Sequence, residues 1–270
     1  MPLSDEEVER YARHIVLPEV GGPGQNKLKN SSVLVIGAGG LGAPLLLYLA
    51  AAGIGRIGIV DHDTVSLSNL QRQVIHTTER ISLAKTESAA RQIAAINPHV
   101  VVEQHQTRLT AANALALMAQ YDIVADGCDN FPTRFLAGDA AFFAKKTLVS
   151  AAVGQFDGQI STFKPHLTAQ GGDPFPTYRC FVGELPPRGS FPACEEAGVI
   201  GALPGILGSM QAMEVIKELL DIGESLAGRI LMYDALLSRF FETRLTWNPE
   251  NPLNGRQASI KALMPGNYVD

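Results

Sequence analysis

Cysteine is scarce in this chain, with only Cys128, Cys180 and Cys194 among 270 residues. Three thiols build no disulfide framework and point to a reducing compartment, which we take as the cytoplasm. Long apolar runs are missing too. The longest, around Ala43 to Ala52, is far short of the roughly 20 residues that a membrane helix needs, and the acidic start Met1-Pro-Leu-Ser-Asp-Glu-Glu has neither the basic nor the apolar region of a signal peptide. No membrane partner is expected. Positive charge is in deficit: 22 Lys and Arg stand against 27 Asp and Glu, for a net charge of −5, and no Lys/Arg block occurs. That balance excludes a nucleic-acid backbone as the expected partner. Internal repeats and low-complexity tracts are absent as well. What is present is apolar material, at 46% of the residues, enough to bury a substantial core.

The apolar residues follow a rhythm. Ser4 to Ile15 reads as an amphipathic helix, with Ser4 as its cap, Glu7 at the capping-box position, and Val8, Tyr11 and Ile15 at helical spacing. From Ser31 onward, β-branched runs alternate with alanine-rich helices: Val33 to Ile36, Ala43 to Ala52, Ile57 to Val60, Ala84 to Ile96, Val100 to Glu103, Ala111 to Ala119, Asp122 to Ala125, Ala137 to Ala144 and Thr147 to Ala152. This order predicts an α/β, Rossmann-like doubly wound fold with a mostly parallel sheet. After Val153 the rhythm changes. A strand from Gly158 to Lys164 leads into a long Pro- and Gly-rich crossover loop, about 165–195, and then a helix from Gly205 to Leu220. Along that helix Ile206, Leu207, Met210, Met213, Ile216 and Leu220 form an apolar stripe that we read as core. Two further strands, Arg229 to Asp234 and Phe240 to Trp247, extend the sheet in antiparallel fashion before a polar tail. The expected organisation is one unit, 1–270, made of a helical arm (1–30), a nucleotide-binding half (31–153) and a second half (154–270).

Chemistry concentrates in the first half. The strand Val33-Leu-Val-Ile runs into Gly37-Ala-Gly39-Gly40-Leu-Gly42, a G-x-G-x-x-G turn whose backbone N–H groups and following helix dipole suit a phosphate chain. Asp61 ends the next strand, where a ribose hydroxyl acceptor belongs. A dinucleotide enzyme needs little more. Here Asp61-His62-Asp63 is followed by Ser68-Asn69-Leu70-Gln71-Arg72-Gln73, dense in hydrogen-bonding side chains, and by Lys85 just inside the next helix. Two added cations, Arg72 and Lys85, suit a nucleotide with more negative charge than a diphosphate, and so favour ATP. Asp126-Gly-Cys128-Asp129-Asn130 places another carboxylate at the sheet's carboxyl edge, where Asp129 could hold Mg²⁺ beside phosphate oxygens. Cys128, directly after an apolar strand, reads as a packed core residue.

Together these residues resemble the MoeB/ThiF/HesA branch of the ubiquitin-activating-enzyme superfamily. Arg10-Tyr-Ala-Arg13-His-Ile, the glycine turn, Asp61-x-Asp63-x-Val-Ser-x-Ser-Asn69-Leu-Gln-Arg72-Gln, Lys85, Ile96-Asn97-Pro98, Asp129-Asn130 and Glu196-Ala-Gly198-Val carry the resemblance, which runs from about Ser4 to Asn248. It implies adenylation of the C-terminal glycine of a small ubiquitin-like sulfur-carrier protein, of MoaD or ThiS type and ending in Gly-Gly, for molybdopterin or thiamine biosynthesis. By that similarity Gly40 approaches the ATP phosphates, Asp61 binds the ribose, and Asn69, Arg72 and Lys85 contact the nucleotide. The motif extends this set to Gly37, Gly39, Gly42, Asp63, Ser68, Leu70, Gln71 and Asn130. Asp129 organises Mg²⁺, Arg13 reaches across a homodimer into the partner's site, and the second half binds the carrier and dimerises. A sulfurtransferase or cysteine desulfurase is a further implied partner.

Two features stay open or depart from the family. Cys194, in Pro192-Ala-Cys194-Glu195-Glu196, stands where some members form a thioester or persulfide-linked intermediate and others need adenylation alone. Many members also carry zinc on two C-x-x-C pairs. Here the first pair is reduced to Thr177-Tyr-Arg-Cys180, and the tail after Asn248-Pro249 has no cysteine, so zinc is not expected. The glycine fingerprint alone also fits an NAD(P)-dependent oxidoreductase, and a non-catalytic activating-enzyme partner would share the fold. The first leaves Arg72, Lys85 and Asp129-Asn130 without a task; against the second, Arg13, Asp61, Arg72, Lys85 and Asp129 all occur in one chain.

Overall fold

A computed structural model describes residues 2–169, 171–187 and 198–268. Eight strands form one sheet in the order β3-β2-β1-β4-β5-β6-β7-β8. They are β1 (Ser32–Ile36), β2 (Arg56–Val60), β3 (Val101–His105), β4 (Ile123–Asp126), β5 (Thr147–Val153), β6 (Asp157–Phe163), β7 (Arg229–Asp234) and β8 (Arg239–Arg244). The first five in spatial order pair in parallel, and β5 to β8 pair antiparallel, as the sequence predicts. The winding reverses between β1 and β4, so a crevice opens outside their carboxyl ends.

Alternate strand residues feed two cores because successive side chains leave a strand on opposite faces. Val33 and Val35 join Leu45, Leu49, Ile93, Leu207 and Val215 on one face; Leu34 and Ile36 join Met118, Tyr121, Phe135 and Tyr178 on the other. The first face is covered by helices α3 (Gly21–Lys29), α4 (Gly42–Ala51) and α5 (Lys85–Ile96), with the helix Ala202–Leu220 running along β5 and β6. The second face carries α6 (Ala114–Met118), α7 (Phe131–Phe143) and α8 (Tyr178–Val182). The helix Ala202–Leu220 is α9 here. Among the described residues no helix is long and apolar enough to cross a membrane.

Several elements differ from the sequence reading, each for a local reason. Ser4 and Glu7 form the expected capping box, but the helix breaks at Tyr11 into α1 (Asp5–Arg10) and α2 (Ala12–Ile15), because the Tyr11 ring is buried and its hydroxyl accepts from Asn97 Nδ2 at 2.8 Å. Helix α7 begins at Phe131, well before Ala137, because Asn130 caps it by accepting from Thr133 N at 2.9 Å. Within the crossover segment α8 forms under a Thr177 cap. The stripe of α9 is only partly core. Leu207 is fully buried, whereas Ile206 and Met213 are 38% and 54% exposed. The sheet lies instead against Leu203, Leu207, Gln211, Ala212 and Val215, a face rotated from the most apolar one.

Candidate nucleotide-binding site

The crevice is built first by the turn from β1 to α4. Gly37 takes φ +91, a left-handed conformation that a side chain rarely adopts, and its N–H donates to Val60 O at 2.8 Å. A Cβ on Gly42 would lie 1.9 Å from Gly37 O, so only glycine lets the helix approach the strand this closely. The turn Gly39, Gly40 and Leu41 that leads into α4 lines the crevice, so the positive end of the helix dipole is directed to it. Asp61, at the end of β2, accepts from Ala38 N at 2.8 Å and from Asp63 N at 2.9 Å. Its carboxylate is thus oriented across the turn.

Lys85 opens α5 with its side chain 8% exposed and its ammonium 2.9 Å from Asp63 Oδ2. Burial pushes the Asp63 carboxyl up, but Lys85, with His62 and Arg108 behind it, outweighs that and holds it below the usual range. Asp61, His62 and Asp63 offer ligand atoms within 4.8 Å of one another. Those of Asp61 and Asp63 are already engaged by backbone N–H groups and by Lys85, which makes the trio a hydrogen-bonded cluster.

Arg72 reaches the cleft beside Gly40 and donates to Ser68 O at 3.2 Å. Ser68, Asn69, Leu70 and Gln71 do not line the cleft. They form the 3-10 turn that presents Arg72: Asn69 is buried and its Oδ1 accepts from Ser66 N at 3.3 Å. Asp129 is exposed on the opposite lip after β4, next to Asn130, whose Nδ2 donates to Asp129 Oδ1 at 3.3 Å while its Oδ1 caps α7. Cys128 is buried, as the sequence predicts, and burial together with the nearby Asp126 carboxylate pushes its thiol well up. Arg13 lies exposed on α2, away from the residues that line the cleft. Cys194 falls outside the described residues.

Sequence reasoning misses three cleft residues, Gln73, Arg108 and Arg134, and His76 behind them. Gln73 is buried, lines the cleft, and its Oε1 has no partner among the described residues. Arg108, after β3, meets His62 Nε2 at 2.8 Å at the same end as Asp61. Arg134, one turn into α7, is 7% exposed and donates to Ala151 O at 2.8 Å and to Cys128 O. His76 lies behind the glycine turn: its Nε2–H donates to Ala38 O at 3.0 Å, so its Nδ1 accepts from Ser88 Oγ at 2.8 Å. Burial holds its pKa down, which keeps the ring neutral. Only Gln73 had a sequence signal, as the last residue of the polar run; the others are lone residues that tertiary packing brings in.

Wider similarity agrees with this geometry. A crystal structure of E. coli MccB with ATP matches 93% of this chain and 75% of its own at a TM-score of 0.79 and 21% identity, which establishes a shared fold. Nearer relatives include a sulfur carrier protein adenylyltransferase of Thermus thermophilus, 47% identical over 98% of this chain and 97% of its own. The SAMP-activating enzyme E1 of Haloferax volcanii is 42% identical over 100% of this chain and 97% of its own. A probable adenylyltransferase/sulfurtransferase MoeZ of Mycobacterium tuberculosis is 48% identical over 93% of this chain, which spans only 63% of that longer protein. The ThiF family model matches residues 11–253, and the chain belongs to the ThiF family.

Proposed function

We propose that this chain is an ATP-dependent adenylyltransferase that activates the C-terminal glycine of a small ubiquitin-like sulfur-carrier protein ending in Gly-Gly. The observation that carries the reading is the convergence, on one crevice, of the glycine turn, Asp61, four cations (Arg72, Lys85, Arg108 and Arg134) and Asp129. A carboxylate attacking the α-phosphate brings anion to anion, so the site must offset charge and align the reactants while pyrophosphate leaves. Arg72 and Lys85 offset charge on the phosphates, α4's N-terminus orients them, and Asp61 fixes the ribose. Asp129 would hold Mg²⁺, a hard cation that takes carboxylate and phosphate oxygens and offsets their charge; its exposed carboxylate is a suitable donor. The relatives' names supply the carrier; molybdopterin and thiamine biosynthesis are the two pathways it would serve.

In this reading the protein is a cytoplasmic homodimer in which Arg13 completes the partner's site. Its placement on α2, away from its own cleft, supports that role. The halves 31–153 and 154–270 work as one unit, because Val199 and Pro204, before and within α9, wall the same crevice as the glycine turn. Sulfur transfer from a sulfurtransferase or cysteine desulfurase would follow adenylation.

The test is ATP–pyrophosphate exchange with Mg²⁺ and a MoaD-type carrier, a ThiS-type carrier, and each lacking its last glycine. Exchange that requires the intact Gly-Gly end is the expected result, and the better carrier marks the pathway. Binding of NADH in place of ATP, or binding of ATP with no exchange on either carrier, would overturn the proposal in favour of an oxidoreductase or a non-catalytic partner.

A further inference from the structure

Cys180, which does not line the crevice, is the centre of a dense set of contacts. Its Sγ receives Asn251 Nδ2 at 2.9 Å and the backbone N–H groups of Thr177 and Asn248, each at 3.4 Å. The buried Asn251 amide also donates to Thr177 Oγ1 at 2.8 Å and accepts from Leu253 N at 2.8 Å. Thr177 Oγ1 in turn accepts from Arg179 N at 3.1 Å, capping α8. One sulfur therefore ties the start of α8 to the tail that follows β8.

Two stretches of equal spacing meet here, Thr177-Tyr-Arg-Cys180 and Asn251-Pro-Leu-Asn254. These four side chains do not fit zinc. Structural zinc takes thiolates or imidazoles, whereas this set offers one sulfur, one hydroxyl and two neutral amides, and Asn251 aims its N–H protons at the sulfur. Asn254 donates to Phe175 O at 3.2 Å, and its buried Oδ1 has no partner among the described residues.

We propose that Cys180, Thr177 and Asn251 form a metal-free hydrogen-bond clasp that fastens the tail to α8, at positions that keep the sequence spacing of a four-ligand metal site. The clasp is a cross-link made of side-chain and backbone donors on one sulfur, and it leaves fold stability independent of metal supply. It goes beyond the proposed adenylation and does not depend on it.

Two consequences are measurable without any activity assay. Protein purified from zinc-supplemented cells holds no zinc by mass spectrometry, and a chelator leaves its melting temperature unchanged. One equivalent of zinc that is lost in Cys180→Ser would overturn the proposal. The triple variant T177C/N251C/N254C, with Cys180 in place, takes up one equivalent of Co²⁺ with thiolate charge-transfer absorption, and the wild type does not. A folded triple variant without that absorption would show that the four positions do not converge. Should the triple variant not fold, Asn251→Ala decides: losing two buried donors lowers the melting temperature by about 3–8 °C, and an unchanged melt would overturn the clasp.

Discussion

Arg134 and Arg179 are both buried guanidiniums on neighbouring helices of the same face, 7% and 8% exposed, yet their surroundings differ in kind. Arg179 is neutralised. Its Nε and Nη2 lie 2.9 Å and 2.8 Å from the two oxygens of Asp139, the Tyr268 hydroxyl donates to the same carboxylate at 2.9 Å, and the Phe135 ring lies under the guanidinium at 4.9 Å. Arg134 has no such bidentate carboxylate, and Asp126 and Asp129 act on it only from farther off. It meets the carbonyls of Ala151 and Cys128, and among the described residues no carboxylate lies within ion-pair distance of it. Carbonyl dipoles fix a guanidinium in place without cancelling its charge. The fold thus gives Arg179 a bidentate carboxylate where helices and tail pack, and leaves Arg134 without one at the crevice, where an anionic ligand would supply the partner.

The sharpest way to test that contrast is at the crevice lip. Asp129→Ala should lower ATP–pyrophosphate exchange by about 10²–10³-fold with an unchanged melting temperature, since the residue is exposed; a retained rate would remove Asp129 from the chemistry. Next, Arg179→Ala should destabilise the fold by about 3–5 kcal/mol in urea unfolding, because it strands Asp139 buried and unpaired, and the double change to Met and Leu at positions 179 and 139 should recover most of that. A cost under about 1 kcal/mol would mean that the packed pair does not differ from an exposed one. Arg134→Gln should do the reverse, with exchange falling about 10-fold or more and a smaller loss of stability than at Arg179. If stability suffers more than exchange, the two arginines are alike and the contrast fails.

The smallest effect concerns pH. Burial holds His76 and His166 below their ordinary value, so the unfolded chain binds protons that the folded chain refuses. Their contribution to stability is complete above about pH 6.5 and declines as pH falls from there toward the depressed folded values. Denaturation at pH 7 and pH 5 should show this decline, and His76→Gln should shrink it. An equal decline in the variant would place the sensitivity elsewhere.

Much of this was legible in the sequence because it rests on local chemistry. The alternating runs gave the parallel strands, Ser4 and Glu7 gave the first cap, and G-x-G-x-x-G before a helix gave the phosphate turn, each a matter of neighbouring residues. Placement at the crevice was legible for Asp61, Asp63, Arg72, Lys85, Asp129 and Asn130, which line it, but not for the run Ser68 to Gln71, which supports Arg72 from behind. The apolar stripe of α9 misled because hydrophobicity counts residues, whereas burial depends on which face meets the sheet: Gln211 is buried with its Nε2 on Asp126 O and Val149 O, while Met213 is exposed.

The sequence by itself determined the α/β architecture, the order of its elements, the glycine turn and the carboxylates at the strand ends, because period, capping and turn chemistry act over a few residues. Only the tertiary structure decided which buried charges find partners. Arg134, Arg179 and His76 are solitary letters in the chain, and Cys180 meets Asn251 across a sequence separation of 71. Such contacts depend on how the sheet brings remote segments together, a long-range geometry that no local pattern of residues encodes.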